Sequence, residues 1–389
     1  MTTATEAVLV VGAGPAGLAV AAELRQRGVR AEIIERSGVV GSAWRLRYDR
    51  LRLNTCRWNS MLSGDRFPSG TQLFPVRDEY VRYLESYAER HDLPVRFGIQ
   101  VDRIDRCGDA WRLATAAGDL AARHVIVATG QQHTPRMPDW PGLRQYQGRL
   151  VHSADYRNPE QFRGADVLVA GAGSSAMDIA YDLAQGGAAR VRVSVRSQPH
   201  MLMRASGPLP TDLLASLVLF RIPARLADHV AGTVRRWTVG DLAPWGITKP
   251  REGMFTHARR TGRTPTLVDG TVIEAIRTKR FEIVADISAV TSAGVRLADG
   301  TTLQPDAIIA ATGFGTGLEP IAGHLGVLDA HGMPLAFGGP AVAPGLRFTG
   351  YVPNIRNLDR DARSVAKQVS DELAVAGSAS SSLTAVSSN

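Results

Sequence analysis

Two glycine-rich motifs constrain the fold of this chain more than any other feature. The first, Gly12–Gly17, follows an apolar run and opens the helical pattern Ala16–Gln26. The second, Gly171–Ala176, stands between the apolar run Asp166–Ala170 and the helical pattern Ser175–Gln185. A glycine turn between a buried parallel strand and a helix is typical of dinucleotide-binding βαβ units. The chain is therefore predicted to be an α/β protein with two doubly wound, Rossmann-like dinucleotide-binding domains.

The first motif reads G-A-G-P-A-G and has an acidic residue placed to complete a nucleotide site. Its glycines permit the tight turn, the close approach of a pyrophosphate and close packing of helix on strand. The N–H groups and dipole at the helix N-terminus favour the phosphates. Glu35 lies 18 residues after Gly17, where a carboxylate accepts the hydroxyls of an adenosine ribose. The residues predicted to contact the dinucleotide are Gly12, Gly14, Pro15, Ala16, Gly17, Glu35 and Arg36.

The second motif reads G-A-G-S-S-A, with alanine in place of the last glycine, which the pattern tolerates. Arg196 lies 20 residues after Ala176, in the position that Glu35 holds in the first module. A carboxylate there repels the 2′-phosphate of NADPH, whereas an arginine can bind it. We therefore expect FAD in the first module and NADPH in the second; the alternative for Arg196 is a solvated surface charge. The predicted NADPH contacts are Gly171, Gly173, Ser174, Ser175, Arg196 and Ser197.

The order of the motifs predicts that the NADPH module is inserted in the FAD module. The FAD-binding domain is expected to comprise residues 1–158 and 303–376, because 303–376 carries no nucleotide motif of its own, and the NADPH-binding domain is expected at 159–302. The segment 377–389 is rich in serine and alanine and has no charge, so it is predicted to be a disordered tail.

The net charge of +8 comes almost entirely from arginine, since Lys249, Lys279 and Lys367 are the only lysines. Arginine suits the bidentate recognition of phosphates. The sequence has no Lys/Arg block and no aromatic residues interleaved with basic ones, which argues against nucleic-acid binding. Leu213–Ile222 is too short and too interrupted for a membrane span, and the N-terminus lacks a signal-peptide layout. A cytoplasmic location is therefore expected.

The two cysteines, Cys56 and Cys107, form no C-x-x-C pair, which argues against disulfide chemistry of the thioredoxin-reductase type. Both are predicted to be buried, unreactive thiols. No metal-ligand cluster and no aligned Ser-His-Asp set indicate another kind of active site, so no metal is expected. A homo-oligomer is compatible with the sequence, which does not decide the oligomeric state.

A family resemblance lies between the two motifs. Tyr146-x-Gly148-x3-His152-x3-Tyr156 is similar to the signature of flavin-containing monooxygenases, F-x-G-x3-H-x3-[Y/F], with tyrosine in place of the first phenylalanine. The Baeyer–Villiger relatives of that family typically carry tryptophan at the position of Tyr156, which disfavours that subclass. Four further segments resemble plant YUCCA-type and bacterial members: 44–55, 83–88, 262–265 and 311–314.

The resemblance supplies further candidate site residues. His152 and Tyr156 are candidates for catalysis, with a structural role in joining the modules as the equal alternative. Asn54 resembles an asparagine that lies near the flavin in animal members, although a turn asparagine fits as well. Trp44 is expected beside the flavin or in the core. Two Ala-Thr-Gly turns are expected to approach the cofactors through Thr129, Gly130, Thr312 and Gly313.

The predicted activity is that of an FAD-dependent, NADPH-using monooxygenase. The resemblance implies that NADPH reduces FAD, that O2 adds to give a C4a-hydroperoxyflavin, and that one oxygen atom passes to a small-molecule substrate. That substrate is expected to be a soft nucleophile, such as an amine or sulfide, or an activated carbonyl such as a 2-oxo acid. The alternatives are a flavoprotein reductase or electron carrier, a Baeyer–Villiger-type monooxygenase, and a nucleotide-bound sensor without turnover.

Overall fold

The computed structural model describes residues 5–207, 209–352, 355 and 358–386. Two sheets dominate it, and in each of them a central strand leads through a glycine turn into a helix. The strands, in chain order, are β1 (Thr5–Val11), β2 (Glu32–Glu35), β3 (Val95–Phe97), β4 (Val101–Cys107), β5 (Ala110–Thr115), β6 (Leu120–Val127), β7 (Thr134–Pro135), β8 (Arg149–His152), β9 (Asp166–Ala170), β10 (Arg190–Ser194), β11 (Met201–Met203), β12 (Ala205–Ser206), β13 (Leu209–Pro210), β14 (Thr266–Val268), β15 (Glu282–Val284), β16 (Ile287–Thr291), β17 (Gly294–Leu297), β18 (Thr302–Leu303), β19 (Ala307–Ala310), β20 (Phe314–Gly315) and β21 (Leu346–Phe348).

The helices pack against the faces of these sheets and fill the segments between strands. They are α1 (Pro15–Gln26), α2 (Ser42–Arg45), α3 (Arg57–Ser60), α4 (Arg77–Arg90), α5 (Ser174–Gln185), α6 (Thr211–Leu214), α7 (Ala224–Thr238), α8 (Met254–Thr261), α9 (Gly270–Arg277), α10 (Glu319–Ala322) and α11 (Leu358–Val386). One π-helical turn, Ala215–Leu219, continues α6. Short 3-10 turns lie at Leu143–Gln145, Pro159–Phe162, Ala243–Trp245 and Gly323–Leu325.

The first sheet has the strand order β3-β2-β1-β6-β5-β4, and β21 pairs with the second half of β6. Its strands β3, β2, β1 and β6 run parallel, and β4, β5 and β6 form an antiparallel meander. The second sheet, β15-β10-β9-β19-β8, is parallel throughout. Parallel strands are buried on both faces, which explains their continuous apolar runs. The predicted fold of two dinucleotide-binding modules is confirmed.

Two strands cross the predicted domain boundaries. The segment 149–152 was expected in the first part of the FAD domain and 307–310 in its second part, but both strands belong to the second sheet. β19 inserts between β9 and β8 because its four residues, Ala307–Ala310, are all buried and apolar and can be covered on both faces only inside a sheet. The second module therefore begins near residue 149 and ends near residue 310, and β21 and α11 return to the first module.

The last helix is longer than the sequence pattern predicts. The pattern ends it at Ala376 and places a disordered tail at 377–389, whereas α11 continues to Val386 and residues 387–389 lie outside the described residues. The physical reason is that alanine is the best helix former and that adding a residue to an existing helix is far easier than starting one. Gly377 and the serines that follow do not stop it.

The core of the first module is built where α1 packs between β1 and α11. Leu18, Val20 and Leu24 of α1 are fully buried together with Val365 and Val369 of α11.

The prediction that both cysteines are buried is correct for Cys56 and wrong for Cys107, which is exposed at the end of β4. Among the residues that the structure describes, no helix is both long enough and apolar enough to cross a membrane.

Two glycines inside helices should respond in opposite directions to alanine. A Cβ on Gly17 of α1 meets the Gly12 carbonyl oxygen at 1.9 Å, whereas a Cβ on Gly232 of α7 meets no atom within 4 Å. We expect Gly17→Ala to lower the free energy of unfolding by about 1–3 kcal/mol through the clash. Gly232→Ala should raise it by about 0.5–1 kcal/mol through helix propensity. Urea denaturation of flavin-free protein measures both, and a Gly17→Ala variant as stable as the parent would show that the turn is loose.

Candidate active site with two nucleotide cradles

The first nucleotide cradle, Gly12–Gly17, is shaped by close approaches of its backbone. Gly12 has a φ of +110°, and a Cβ there would lie 2.9 Å from the Ala128 carbonyl oxygen at the end of β6. Gly17 lies against the Gly12 carbonyl, as described above. Between them a Cβ on Gly14 would meet nothing within 4 Å. Backbone atoms therefore leave no room for a side chain at the first and third glycines of the turn. The space beside the second glycine is open, as the close approach of a pyrophosphate requires.

The N-terminus of α1 is free to bind an anion. Gly14 is its N-cap, no side chain caps it, and its first turn carries no acidic residue. The backbone N–H groups at such an end have no partner within the helix, and the helix dipole favours negative charge there. These features fit the phosphates of FAD at this site.

Glu35, at the end of β2, lies beside the first cradle with its carboxylate already oriented. Its Oε2 accepts a hydrogen bond from the Ala13 N–H at 2.9 Å, and its Oε1 accepts from the Ser37 N–H at 3.0 Å and the Ser42 hydroxyl at 3.3 Å. The residue is buried. These donors hold the carboxylate in one orientation next to the turn, which fits the ribose contact predicted for Glu35.

A cavity of about 860 Å³ extends from the first cradle towards the second module. Gly12, Gly14, Glu35, Arg36 and Thr129, all predicted to contact the dinucleotide, line it. Its wall also contains arginines and an aromatic ring that the sequence reasoning missed: Arg47, Arg136, Arg157 and Phe314. The Arg47 guanidinium lies over the Phe314 ring, 4.5 Å from its centroid. The same wall carries the carboxylates of Glu35, Asp102, Asp155 and Glu319, so it presents charges of both signs.

Trp44 was predicted to lie beside the flavin or in the core, and it packs in the core. Its ring packs edge-to-face on Tyr80 of α4, with ring centroids 4.8 Å apart. It is not among the residues that line the cavity, where Ser42, Ala43 and Leu46 of the same segment lie instead. The α2 turn therefore presents its small residues to the cavity and its tryptophan to α4.

The second nucleotide cradle, Gly171–Ala176, repeats the geometry of the first. Gly171 has a φ of +136°, and a Cβ there would lie 2.4 Å from the Ala311 carbonyl oxygen at the end of β19. A Cβ on Gly173 would meet nothing within 4 Å, and α5 begins without a side-chain cap or an acid in its first turn. The Ser174 hydroxyl already has one hydrogen-bond partner, because its Oγ accepts from the Leu267 N–H at 2.9 Å. These features fit the phosphates of NADPH.

The strand register corrects the position of Arg196 by one residue. The Gly12 N–H donates to Ile34 and the Gly171 N–H donates to Ser194, so the counterpart of Glu35 is Val195. Val195 is buried and uncharged, and Arg196 follows it as an exposed residue. The second cradle therefore has no counterpart of the Glu35 carboxylate. The exposed Arg196 lies one residue further along, next to Ser197.

Each Ala-Thr-Gly turn backs one cradle. Ala128 closes the first cradle and Ala311 the second, as the two close approaches show. Of the four residues predicted to contact cofactors here, only Thr129 lines the cavity, and its hydroxyl bonds to the Tyr351 hydroxyl at 2.8 Å. Thr312 instead donates to the Arg136 carbonyl at 2.5 Å, and Gly313 accepts from His152. Gly130 is absent from the cavity wall.

His152 is held in a structural network. Its Nδ1 accepts from the Ala154 N–H at 3.0 Å, so its Nε2 carries the proton and donates to the Gly313 carbonyl at 3.1 Å. Burial lowers the pKa of this imidazole, which keeps it neutral. With both ring nitrogens occupied, His152 fixes the turn after β19 against β8 and has no nitrogen free for proton transfer.

The two tyrosines of the signature bond to α5 and to the segment that precedes β19. The Tyr156 hydroxyl donates to Asp182 Oδ2 of α5 at 2.8 Å from a fully buried ring, and the Tyr146 hydroxyl donates to the Pro305 carbonyl at 2.8 Å. A Cβ on Gly148 would lie 2.4 Å from the Tyr146 hydroxyl oxygen. These contacts favour the structural alternative for His152 and Tyr156, since the signature fixes β8 and β19 at the edge of the second sheet.

Asn54 lies away from the large cavity and faces the second module. It is exposed, and its Oδ1 accepts from the Arg204 Nη2 at 3.2 Å. Arg204 is itself fully buried and forms ion pairs with Asp178 of α5 and with Asp269, which precedes α9. The sequence reasoning missed Arg204 and Asp178, because no motif marks them and only the tertiary fold brings them together.

Comparisons with known proteins place this geometry in a family. The family described as pyridine nucleotide-disulphide oxidoreductase matches residues 9–208. Indole-3-pyruvate monooxygenase YUCCA1 of Oryza sativa subsp. japonica is 38% identical over 310 residues, which cover 79% of this chain and 76% of that protein. The solved flavin-containing monooxygenase from Stenotrophomonas maltophilia superposes with a TM-score of 0.74 at 23% identity, covering 95% of this chain and 99% of that one. Cyclohexanone monooxygenase shares the fold with a TM-score of 0.74 at 19% identity, covering 97% and 88%.

Valine at position 14 should remove flavin without unfolding the protein. The open space in front of Gly14 accommodates the side chain, but the side chain then occupies the place of the pyrophosphate. We expect Gly14→Val to be purified colourless, whereas Gly38→Val, at another glycine with open space around it, keeps its FAD. Absorbance of bound and heat-released flavin measures occupancy, with FAD rather than FMN released from the parent. Full FAD occupancy in Gly14→Val would contradict the assignment.

Removal of the Arg196 guanidinium should weaken NADPH use selectively. A charge-assisted contact to the 2′-phosphate contributes about 1.5–3 kcal/mol, roughly ten- to a hundredfold in affinity. Arg196→Ala should therefore raise the KM for NADPH by that factor and leave the KM for NADH almost unchanged. Arg36→Ala, at the same register position of the first module, is the control, with rates normalised to bound flavin. Equal losses with both coenzymes would place Arg196 outside the phosphate site.

Proposed function

The chain belongs to the flavin-containing monooxygenase family, and on that premise we propose that it transfers one oxygen atom from O2 to the carbonyl group of a 2-oxo acid. As a member of that family it is an FAD-dependent oxidoreductase that uses NADPH, which confirms the family, the enzyme class and the cofactor pair predicted from the sequence. Its partners are a small-molecule substrate and O2. A cytoplasmic location stays a prediction of the sequence.

One observation supports the division of labour between the modules. The chain has two cradles with the same backbone geometry, and only the first has a carboxylate at the end of its second strand. Bound FAD supplies the redox chemistry, by accepting a hydride from NADPH and then reacting with O2. The residues of this chain would hold the two nucleotides in separate sites, with Glu35 at the ribose of FAD and Arg196 at the 2′-phosphate of NADPH. Such separation lets the oxidised coenzyme stay bound while oxygen reacts.

The substrate class rests on the relatives and on charge. The 38% identical relative is an indole-3-pyruvate monooxygenase, and indole-3-pyruvate is an aromatic 2-oxo acid. A negatively charged acid suits a chain with a net charge of +8, and the arginines Arg47, Arg136 and Arg157 in the cavity wall could bind its carboxylate. In the proposed reaction a 2-oxo acid, O2, NADPH and a proton give a carboxylic acid one carbon shorter, carbon dioxide, NADP⁺ and water. One oxygen atom of O2 enters the new carboxylate and the other leaves as water.

Heavy oxygen gas tests this proposal. Purified enzyme, NADPH and indole-3-pyruvate under ¹⁸O2 should yield a shortened acid with one heavy atom in its carboxylate, read by mass spectrometry. Catalase must be present, because free peroxide oxidises 2-oxo acids to the same product without an enzyme. Boiled enzyme and enzyme without NADPH are the controls.

The other activities predict different results in the same assay. A reductase or electron carrier would consume NADPH and give no labelled product from 2-oxo acids, amines, sulfides or ketones. A Baeyer–Villiger enzyme would place the heavy atom in an ester made from a ketone. Labelled product from an amine or sulfide, with none from a 2-oxo acid, would retain the monooxygenase and overturn the substrate class.

A further inference from the structure

Large apolar side chains are exposed on one part of the second module, in the segment 215–222 that follows α6 and on α7. This apolar patch comprises Leu217, Val218, Phe220, Leu226 and Trp237. Between 43% and 85% of each residue is accessible to solvent, and Trp237 is the most exposed of them. Single exposed apolar residues are common on proteins, but a group of them in one region usually marks a binding surface.

Helix α7 keeps its apolar residues on two separate faces. Ala227 and Ala231 face inwards and are buried in a small core together with residues of α8. Leu226, Thr233 and Trp237 are separated by seven and four residues, so they form one stripe along the helix, and all three are exposed. A surface helix normally covers its apolar stripe by packing on the protein, and this second stripe faces solvent instead.

The segment before α7 extends the stripe. The Phe220 ring packs edge-to-face on Phe255 of α8, with ring centroids 5.3 Å apart. Arg259 of α8 donates from its Nη2 to the Ile222 carbonyl at 2.7 Å. These contacts hold the segment against α8, and Pro223, the N-cap of α7, follows it directly. The segment and the start of α7 therefore have a fixed arrangement.

Positive charge is concentrated in the same region. Residues 213–263 contain nine basic and three acidic residues, a net charge of +6 in a chain whose total is +8. Two of the three carboxylates already have partners, since Asp228 accepts from the Phe255 N–H and Glu252 pairs with Arg260. Most of the net charge of the chain thus belongs to the segments that carry the apolar patch.

Three exposed arginines border the patch. Arg221 follows Phe220 directly, and Arg225 and Arg236 lie eleven residues apart, which places them in one row beside the stripe of α7. Among the described residues, no carboxylate forms an ion pair with any of the three. Leucine, phenylalanine and tryptophan bordered by arginine are typical of helices that lie in the interface of a membrane, where tryptophan is enriched.

A second copy of this chain suits the patch less well than a lipid surface does. In a two-fold dimer the same patch would face itself, and the arginines of both copies would come together without carboxylates to pair with. Anionic lipid headgroups supply the missing negative charge, and the acyl chains beneath them accept the apolar side chains.

We propose that the apolar patch and its arginines dock the enzyme on an anionic lipid bilayer. The apolar side chains enter the boundary between headgroups and acyl chains, and Arg221, Arg225 and Arg236 bind the lipid phosphates. This inference does not depend on the proposed function, because none of these residues belongs to either nucleotide cradle or lines the large cavity. The enzyme would then work at a membrane surface without spanning the membrane.

Flotation with lipid vesicles tests the proposal on the FAD-loaded protein. The protein should float with vesicles of phosphatidylglycerol and phosphatidylcholine in equal amounts, and stay behind with vesicles of phosphatidylcholine alone. Binding should weaken as salt is added, because salt screens the arginines. Arg221→Gln and Arg225→Gln should each lower the partition coefficient about fivefold. Leu217→Asn and Trp237→Asn should each lower it about tenfold, through lost apolar burial.

Matched controls separate the patch from the rest of the surface. Leu335→Asn and Arg144→Gln replace exposed residues outside the patch and should keep the partition coefficient of the parent. All six variants should keep the parental KM for NADPH, which shows that they are folded. A parent that ignores the mixed vesicles would overturn the proposal. So would Leu217→Asn and Trp237→Asn variants that bind like the parent, since the contact would then be charge alone, as for a nucleic acid. A parent dimer that dissociates in Leu217→Asn and binds no vesicles would assign the patch to a second copy instead.

Discussion

The close approach of a glycine to the end of the neighbouring strand is the constraint on which the rest of the structure depends. Gly12 lies against the Ala128 carbonyl and Gly171 against the Ala311 carbonyl, and in both cases a Cβ would collide with backbone. This packing sets where α1 and α5 begin and leaves their N-terminal N–H groups facing open space. Phosphate binding follows from that geometry, because unpaired N–H groups and a helix dipole meet at one point. Two nucleotide sites on one chain are thus a consequence of backbone packing.

A few buried polar side chains hold the second module together and join it to the first. The family signature fixes the edge of the second sheet through His152, which is neutral and bonded at both nitrogens, and through Tyr156, whose hydroxyl donates to Asp182 of α5. Arg204 joins the second module to the first through its ion pairs with Asp178 and Asp269 and its contact with Asn54. None of these residues needs to exchange a proton, because the cofactors supply the reaction. Their common effect is to hold the elements around the two cradles in fixed positions, and hydride and oxygen transfer depend on the orientation of the reacting groups.

The sequence predicted the local features well, because each of them is written in contiguous residues. Strand, glycine turn and helix appear together around both cradles, and α1, β9 and α5 lie within one residue of their predicted bounds. The partners of β19 could not be predicted, because a buried apolar strand carries no mark of the sheet it joins. The same limit applies to Arg204, whose partners are separated from it by 150 residues at Asn54 and come together only in the fold. The prediction ended helix α11 too early, because it gave more weight to the serine-rich composition after Ala376 than to helix propensity.

The central claim is that two similar cradles bind different nucleotides independently, and equilibrium binding of NADP⁺ tests it most directly. Isothermal titration should be run on the FAD-saturated protein and on the flavin-free Gly14→Val variant. The account predicts one NADP⁺ per chain in both, in addition to the one FAD that saturates the parent, with dissociation constants that agree within a few-fold. Loss of NADP⁺ binding in Gly14→Val, or displacement of FAD by NADP⁺ in the parent, would mean that the nucleotides share the first cradle and would contradict the account.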